Sequence, residues 1–307
     1  MSGPVPELPA RPQSAHKGDF GTVLVVGGAV EPRTMLGGPA LAANAALRAG
    51  CGLCELAMPE PLLVAGLGLA PSATGVTLPI DAEGSIDADA ALAALAAPLA
   101  RATVVAMGPG LGSGEGVDRL VAGVIELCRK RQLPLVLDAD ALNALARLAP
   151  SEPFAAPVIV TPHPGEFARL AQRLGLASCD PIDPDRRPAS AAALSQRLAA
   201  VVVLKGPRSV IAAGRETSIN STGGPTLATG GSGDVLTGVI AGLWSQWREA
   251  GEDPDGGRSA RAGVWLHGHA ADRWAARQGS AGMLAGDLVE ELPAAMRAMR
   301  NGDRSPE

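Results

Sequence analysis

Aromatic side chains are scarce in this 307-residue chain, which has no tyrosine, three phenylalanines and four tryptophans. Proteins that grip single-stranded nucleic acid stack its bases on aromatic rings set in basic grooves. With a net charge of −5 as well, the chain is not expected to bind nucleic acid, and a small-molecule ligand is expected instead. No long apolar run free of charges and glycines occurs, so no membrane span is expected. The opening MSGPVPELPARPQSAHKGDF has no apolar core of the secretory kind, and a cytoplasmic protein is expected. Cysteine is limited to positions 51, 54, 128 and 179. Cys51 and Cys54 have C-x-x-C spacing, but no second pair or histidine cluster completes a metal site. They read as small buried hydrophobes. His267 and His269 lack a third ligand and read as packing residues, so no metal ligand is assigned. Neither G-x-x-x-x-G-K-[ST] nor a G-x-G-x-x-G opening the first helix is present, which disfavours a P-loop protein and a standard dinucleotide-binding dehydrogenase.

What is present is a chain 47% hydrophobic, large enough for one big α/β core. Apolar β-branched runs at Thr22–Val26, Leu53–Met58, Thr103–Met107, Leu135–Asp138, Val158–Thr161 and Val201–Lys205 read as buried strands, with Val210–Ala213 and Thr217–Ile219 forming a hairpin. Helices are expected near Gly38–Ala49, Ala88–Leu95, Gly116–Arg131, Phe167–Leu174, Val235–Ala250, Ser259–Arg277 and Leu284–Met299, and up to Ala149 after the Leu135 strand. Residues 59–100 are not placed more finely. Ser178–Pro188 and Gly251–Gly257 read as surface loops. The alternation implies a single domain with a mostly parallel central sheet and helices on both faces.

The chain is organised around Thr222–Gly242, a glycine-rich loop that runs into an apolar helix. Glycines 223, 224, 230, 231 and 233 permit positive φ and convergent N–H groups, an anion nest at a helix start. Gly231, Ser232 and Gly233 form its expected centre. Asp234 follows directly and has two readings, an N-cap or a base that takes the proton of a hydroxyl being phosphorylated. A cap needs no such run of glycines, so the base is favoured. In open α/β sheets ligands sit beyond the carboxyl ends of the strands. Gly27–Gly28, Gly108–Gly112, Asp138–Asn143, Thr161–Glu166 and Lys205–Ser209 all follow strands and should converge with the nest. His163, between two prolines, either contacts ligand or closes the turn before its helix. Lys205 faces phosphates or snorkels to solvent. Asp138 and Asp140 either cap the next helix or help hold a cation.

His16–Gly21 followed by TVLVVGG, then ALRAGCGL, AMGPGLG, LVLDADALN, VIVTPHPGEF, VVLKG and NSTGGPTLATGGSGDVLTGVIAGL resemble, in that order, the ADP/ATP-dependent (S)-NAD(P)H-hydrate dehydratases of the ribokinase-like superfamily. The resemblance covers about residues 16–290. Residues 16–300 would form the domain, residues 1–15 a flexible extension and residues 301–307 a frayed tail. It implies repair of NADHX and NADPHX, nicotinamide cofactors to which water has added, by phosphorylation of the hydroxyl and loss of phosphate. Asp234 would be the catalytic base. Gly38, Gly110, His163 and Asp234 would contact the hydrated dinucleotide, while Lys205, Gly206, Pro207, Arg208, Ser209 and Gly233 would contact ADP or ATP. The resemblance also implies Mg2+, a homo-oligomer (a tetramer by analogy) and a separate NAD(P)HX epimerase. Ser232 stands where many relatives have threonine, and Gly38-Pro39 replaces a more usual pair of small residues. The competing readings are a ribokinase-like kinase of a sugar or vitamin-precursor alcohol, whose product stays phosphorylated, and a non-catalytic nucleotide sensor, which needs no base beside the nest.

Overall fold

Residues 7–301 are described by the structure, a computed structural model. Nine strands form one sheet: β1 (Thr22–Val26), β2 (Leu53–Pro59), β3 (Thr74–Leu78), β4 (Val104–Met107), β5 (Leu135–Leu137), β6 (Val158–Val160), β7 (Val201–Leu204), β8 (Val210–Ala213) and β9 (Glu216–Ile219). Their spatial order is β3-β2-β1-β4-β5-β6-β7-β8-β9. From β3 to β7 every pairing is parallel, and β8 and β9 add an antiparallel hairpin at one edge. The chain leaves β1 towards β2 and β3, then returns to the other side of β1 as β4. That reversal is the crevice where a ligand is expected.

Among the described residues ten α-helices complete the layers: α1 (Gly37–Ala49), α2 (Glu60–Leu69), α3 (Ala88–Arg101), α4 (Glu115–Arg131), α5 (Ala139–Leu148), α6 (Pro164–Arg173), α7 (Arg187–Leu198), α8 (Ser232–Glu249), α9 (Gly257–Gln278) and α10 (Ala285–Asn301). Alternation along the buried strands sorts side chains between the two faces. Leu24 and Val26 of β1 join Val105 and Met107 of β4 in a core with α3–α7. Val23, Val25, Val104 and Ala106 face the other way, against α1, α2, α8 and α9. Outside that second face, α10 packs on α1, α8 and α9 through Leu288 and Leu292.

The tightest helix pair is α1 with α8, which touch at successive turns. A Cβ on Gly238 would lie 2.1 Å from the carbonyl oxygen of Ala42, and one on Gly242 would lie 2.4 Å from that of Ala46. One turn further along, Gln246 donates to the carbonyl of Ala49 at 2.9 Å. Glycine is required at 238 and 242 because the backbone of α1 occupies the space a side chain would need.

Residues 59–100 resolve into α2, β3 and α3. The Ser178–Pro188 loop ends two residues earlier than expected, and α7, unforeseen from the sequence, follows it. Residues 1–6 of the expected flexible extension and 302–307 of the expected tail lie outside the described residues. Within 7–15, Leu8 is buried and the Arg11 guanidinium lies 3.7 Å from the Phe20 ring centroid. No helix among the described residues is long and apolar enough to cross a membrane.

Candidate active site

Loops after β1, β4, β5, β6 and β7 meet at one end of the sheet, and close backbone approach holds them there. Gly28 donates to the carbonyl of Pro109 at 3.2 Å, and a Cβ on Gly27 would lie 2.3 Å from the same oxygen. Gly108, at φ 126°, leaves only 1.8 Å between a hypothetical Cβ and the carbonyl oxygen of Asp138. Gly110, also at positive φ, packs on Met35 and Pro39, just before and within the first turn of α1. Asp140 accepts from the N–H of Gly112 at 2.8 Å and so ties the β4 loop to α5.

Asp138 is the N-cap residue of α5, yet its carboxylate makes no capping bond. It faces Lys205 instead, with Oδ1 2.5 Å from Nζ, and Oδ2 accepts from the Thr237 hydroxyl at 2.8 Å. The lysine at the end of β7 is therefore turned inward. Glu166 stands 3.9 Å from the same Nζ. Burial alone would lower the Lys205 pKa, but Asp138 and Glu166 outweigh it and the ammonium is held charged.

His163 caps α6. Its Nδ1 accepts from the N–H groups of Gly165 at 3.0 Å and Glu166 at 3.4 Å. Glu166 reaches back to accept from the N–H of His163 at 2.8 Å, completing a capping box. The second imidazole nitrogen lies 3.3 Å from Glu166. Burial, then Lys205 and Arg169, lowers the His163 pKa and favours neutral imidazole. Burial raises the Glu166 carboxyl to about 7, with Lys205 opposing and Asp138 reinforcing the shift.

The glycine loop ends in Gly231, at φ 90°, the N-cap of α8. Of the five loop glycines only Gly223 and Gly231 use positive φ. The helix begins at Ser232 rather than Val235, so Asp234 is its third residue and not its cap. Its carboxylate makes no hydrogen bond or ion pair among the described residues and points at α1. A Cβ on Gly38 would lie 2.9 Å from Oδ2 and 3.1 Å from Cγ. Burial first, then the neighbouring charges of Asp138 and Asp140 against that of Lys205, raises the Asp234 carboxyl to about 7. A Cβ on Gly233 would lie 3.4 Å from Lys205 Nζ, so the nest opens beside the lysine.

His267, read from sequence as packing, donates from Nε2 to the carbonyl of Ser232 at 2.8 Å, and burial lowers its pKa to about 4. It supports the nest as a neutral donor. His269 stacks on Trp265, ring centroids 4.6 Å apart. In the β7–β8 loop Gly206 and Arg208 take positive φ, and Ser209 donates to the carbonyl of Gly206 at 3.1 Å. The structure thus gathers Gly38, His163, Lys205, Gly233 and Asp234 at one end of the sheet, with Gly110 against the start of α1. Sequence reasoning missed Glu166 and Thr237 as members; the E of HPGE signals a capping box, and nothing local signals Thr237. A cavity of about 410 Å³ lies past the β4 loop, between Glu31, Asp81 and Gly114, and none of the gathered residues lines it. The cysteines are free, and burial pushes the Cys51 and Cys128 thiols to about 12, which leaves them unreactive near neutral pH.

The mostly parallel sheet with helices on both faces and a two-strand antiparallel edge is a ribokinase-like fold. A ribokinase-like protein from Enterococcus faecalis superposes with a TM-score of 0.78 at 24% identity, over 95% of this chain and 92% of that one. The chain belongs to the NAD(P)H-hydrate dehydratase family, whose match spans residues 23–294. It is 43% identical to the bifunctional NAD(P)H-hydrate repair enzyme of Moorella thermoacetica, over 95% of this chain and 52% of that protein. The chain thus spans about half the length of such bifunctional relatives. It is also 38% identical to the ADP-dependent (S)-NAD(P)H-hydrate dehydratase of Neisseria meningitidis, over 95% of this chain and 89% of that one. The ADP/ATP-dependent dehydratase of Bacillus subtilis, co-crystallised with ATP and Mg2+, superposes with a TM-score of 0.72 at 29% identity, over 95% of both chains.

Proposed function

We propose that this chain dehydrates the S-form of NADHX or NADPHX, using ADP, or ATP in its place, as phosphate donor. The observation that carries this reading is the Asp234 carboxylate: largely buried, without a hydrogen bond, in the first turn of a helix that follows an anion nest. Asp234 takes the proton of the hydrate hydroxyl while that oxygen attacks the terminal phosphorus and the bond to the leaving nucleotide breaks. N–H groups at Gly231–Gly233 and the α8 dipole stabilise the transferring charge. The carbon–oxygen bond of the phosphate ester then breaks, inorganic phosphate leaves, and the neighbouring ring carbon gives up a proton to restore the double bond. The sum is NADHX plus ADP to NADH, AMP and phosphate. Gly38, Gly110 and His163 are assigned to the hydrated dinucleotide, and Lys205–Ser209 with Gly233 to the donor nucleotide.

Magnesium belongs to the same reading. No cluster of three ligating side chains occurs among the described residues. Mg2+ at phosphates takes one or two carboxylates and fills its shell with water and phosphate oxygens. Asp138 and Glu166, hard oxygen donors beside Lys205, fit that requirement. The ion supplies neutralisation of phosphate charge. A homo-oligomer, an epimerase activity that delivers the S-form, and a cytoplasmic setting complete the proposal.

The test follows the nicotinamide absorbance of purified protein with NADHX, Mg2+ and either ADP or ATP. Nucleotide-dependent return of NADH absorbance with release of phosphate is expected. Folded protein that binds nucleotide but restores no NADH with either donor would overturn the assignment in favour of a small-alcohol kinase.

A further inference from the structure

Beneath the Lys205–Ser209 loop lies a guanidinium that no acid among the described residues answers. Arg187, the first residue of α7, is 5% exposed. Its Nη1 donates to the carbonyl of Pro181 at 3.1 Å, and Nη2 to those of Leu204 at 3.0 Å and Lys205 at 3.3 Å. Nε is buried and has no partner among the described residues. Buried cations are ordinarily paired, because carbonyl dipoles replace only part of the lost hydration. The loop above is shaped to this fork. Gly206 has φ 138°, and a Cβ there would come within 2.8 Å of Nη1.

We propose that Arg187 is a positioning residue for the donor nucleotide: its planar fork sets the Lys205–Gly206 backbone from below and leaves an unneutralised positive charge for the phosphates. This rests on the assignment of Lys205–Ser209 to the nucleotide. In this structure the Lys205 ammonium is paired with Asp138 at 2.5 Å, whereas the Arg187 guanidinium is met only by carbonyls among the described residues. Three carbonyls from two chain segments need a rigid fork, which a lysine does not reproduce.

The test varies ADP and NADHX separately for the wild type and for Arg187→Lys, Arg187→Ala and Ser209→Ala. Arg187→Lys should raise the KM for ADP about tenfold, and Arg187→Ala more, with the KM for NADHX within about twofold of wild type. Ethylguanidinium should restore Arg187→Ala, and ethylammonium of equal charge should not. An unchanged KM for ADP in folded Arg187→Lys overturns the inference, and so does an equal rise in both KM values that tracks a fall in Tm. Should Arg187→Ala not fold, the lysine variant decides alone. If Ser209→Ala weakens ADP and the Arg187 variants do not, only the role of Arg187 fails. If none of them affects ADP, the loop assignment fails as well.

Discussion

The helices α6 and α8 open on the same cleft, and each carries an acid as its third residue, Glu166 and Asp234. Burial raises both carboxyls to about 7. Their surroundings differ in one respect. Glu166 is folded back into a capping box with His163 and stands near Lys205. Asp234 follows a glycine cap that offers no side chain, is one methylene shorter, and bonds to nothing. The same position in a helix thus yields an acid held in a capping box in one case and an acid left unbonded in the other, and the N-cap residue decides which.

Removing each acid in turn is the sharpest way to break that comparison. Asp234→Asn should lower turnover roughly 10²–10⁴-fold with ADP binding kept, by nicotinamide absorbance and nucleotide titration. Glu166→Gln should lose no more than about tenfold at saturating Mg2+ and show its effect as a raised Mg2+ requirement. Equal losses would erase the distinction. Gly38→Ala comes next: the new methyl would crowd Oδ2 of Asp234 at 2.9 Å. Turnover should fall about tenfold with little change in Tm, since a carboxylate end can rotate aside but then no longer faces the hydroxyl.

The smallest effect is on stability. Unfolded carboxyls titrate near about 4 and the folded ones at about 7. Between those values the native state binds more protons, so stability should fall as pH rises through that window and level off above it. Asp234→Asn should flatten this slope and raise Tm at pH ~8 by roughly 2–5 °C. A steeper slope in the variant would mean that Asp234 is ionised and paired in the folded protein. Activity should run the other way, with an acid limb near about 7 as the base loses its proton.

Much of this was legible in the sequence. β1 at Thr22–Val26, the hairpin at the sheet edge and the α9 and α10 helices follow from runs and periodicities that packing does not override. α7 was hidden because Arg187-Pro188 closes a Pro/Asp-rich loop, and a proline that ends a loop also suits the first turn of a helix. α2 contains two glycines and has apolar residues all round, and β3 is a short, mostly exposed edge strand. Neither has the alternation that identifies its type. In the site, the glycine loop and Asp234 announce themselves, whereas the bonds from Asp138 to Lys205 and Thr237 span 67 and 99 residues. Such pairings belong to the tertiary fold, and no local pattern encodes them.

The α1–α8 contact has a consequence for the base itself. Gly38 with Asp234, Ala42 with Gly238, Ala46 with Gly242 and Gly50 with Gln246 meet at successive turns of both helices, like rungs of one ladder. The contact between Gly38 and the proposed base Asp234 is its top rung. The gap between Gly38 and Asp234, where the proposed function puts the hydroxyl, is therefore gauged by missing methyl groups one and two turns below it. A methyl added at Gly238 or Gly242 would spread the rails and misalign the base without altering any group that touches substrate.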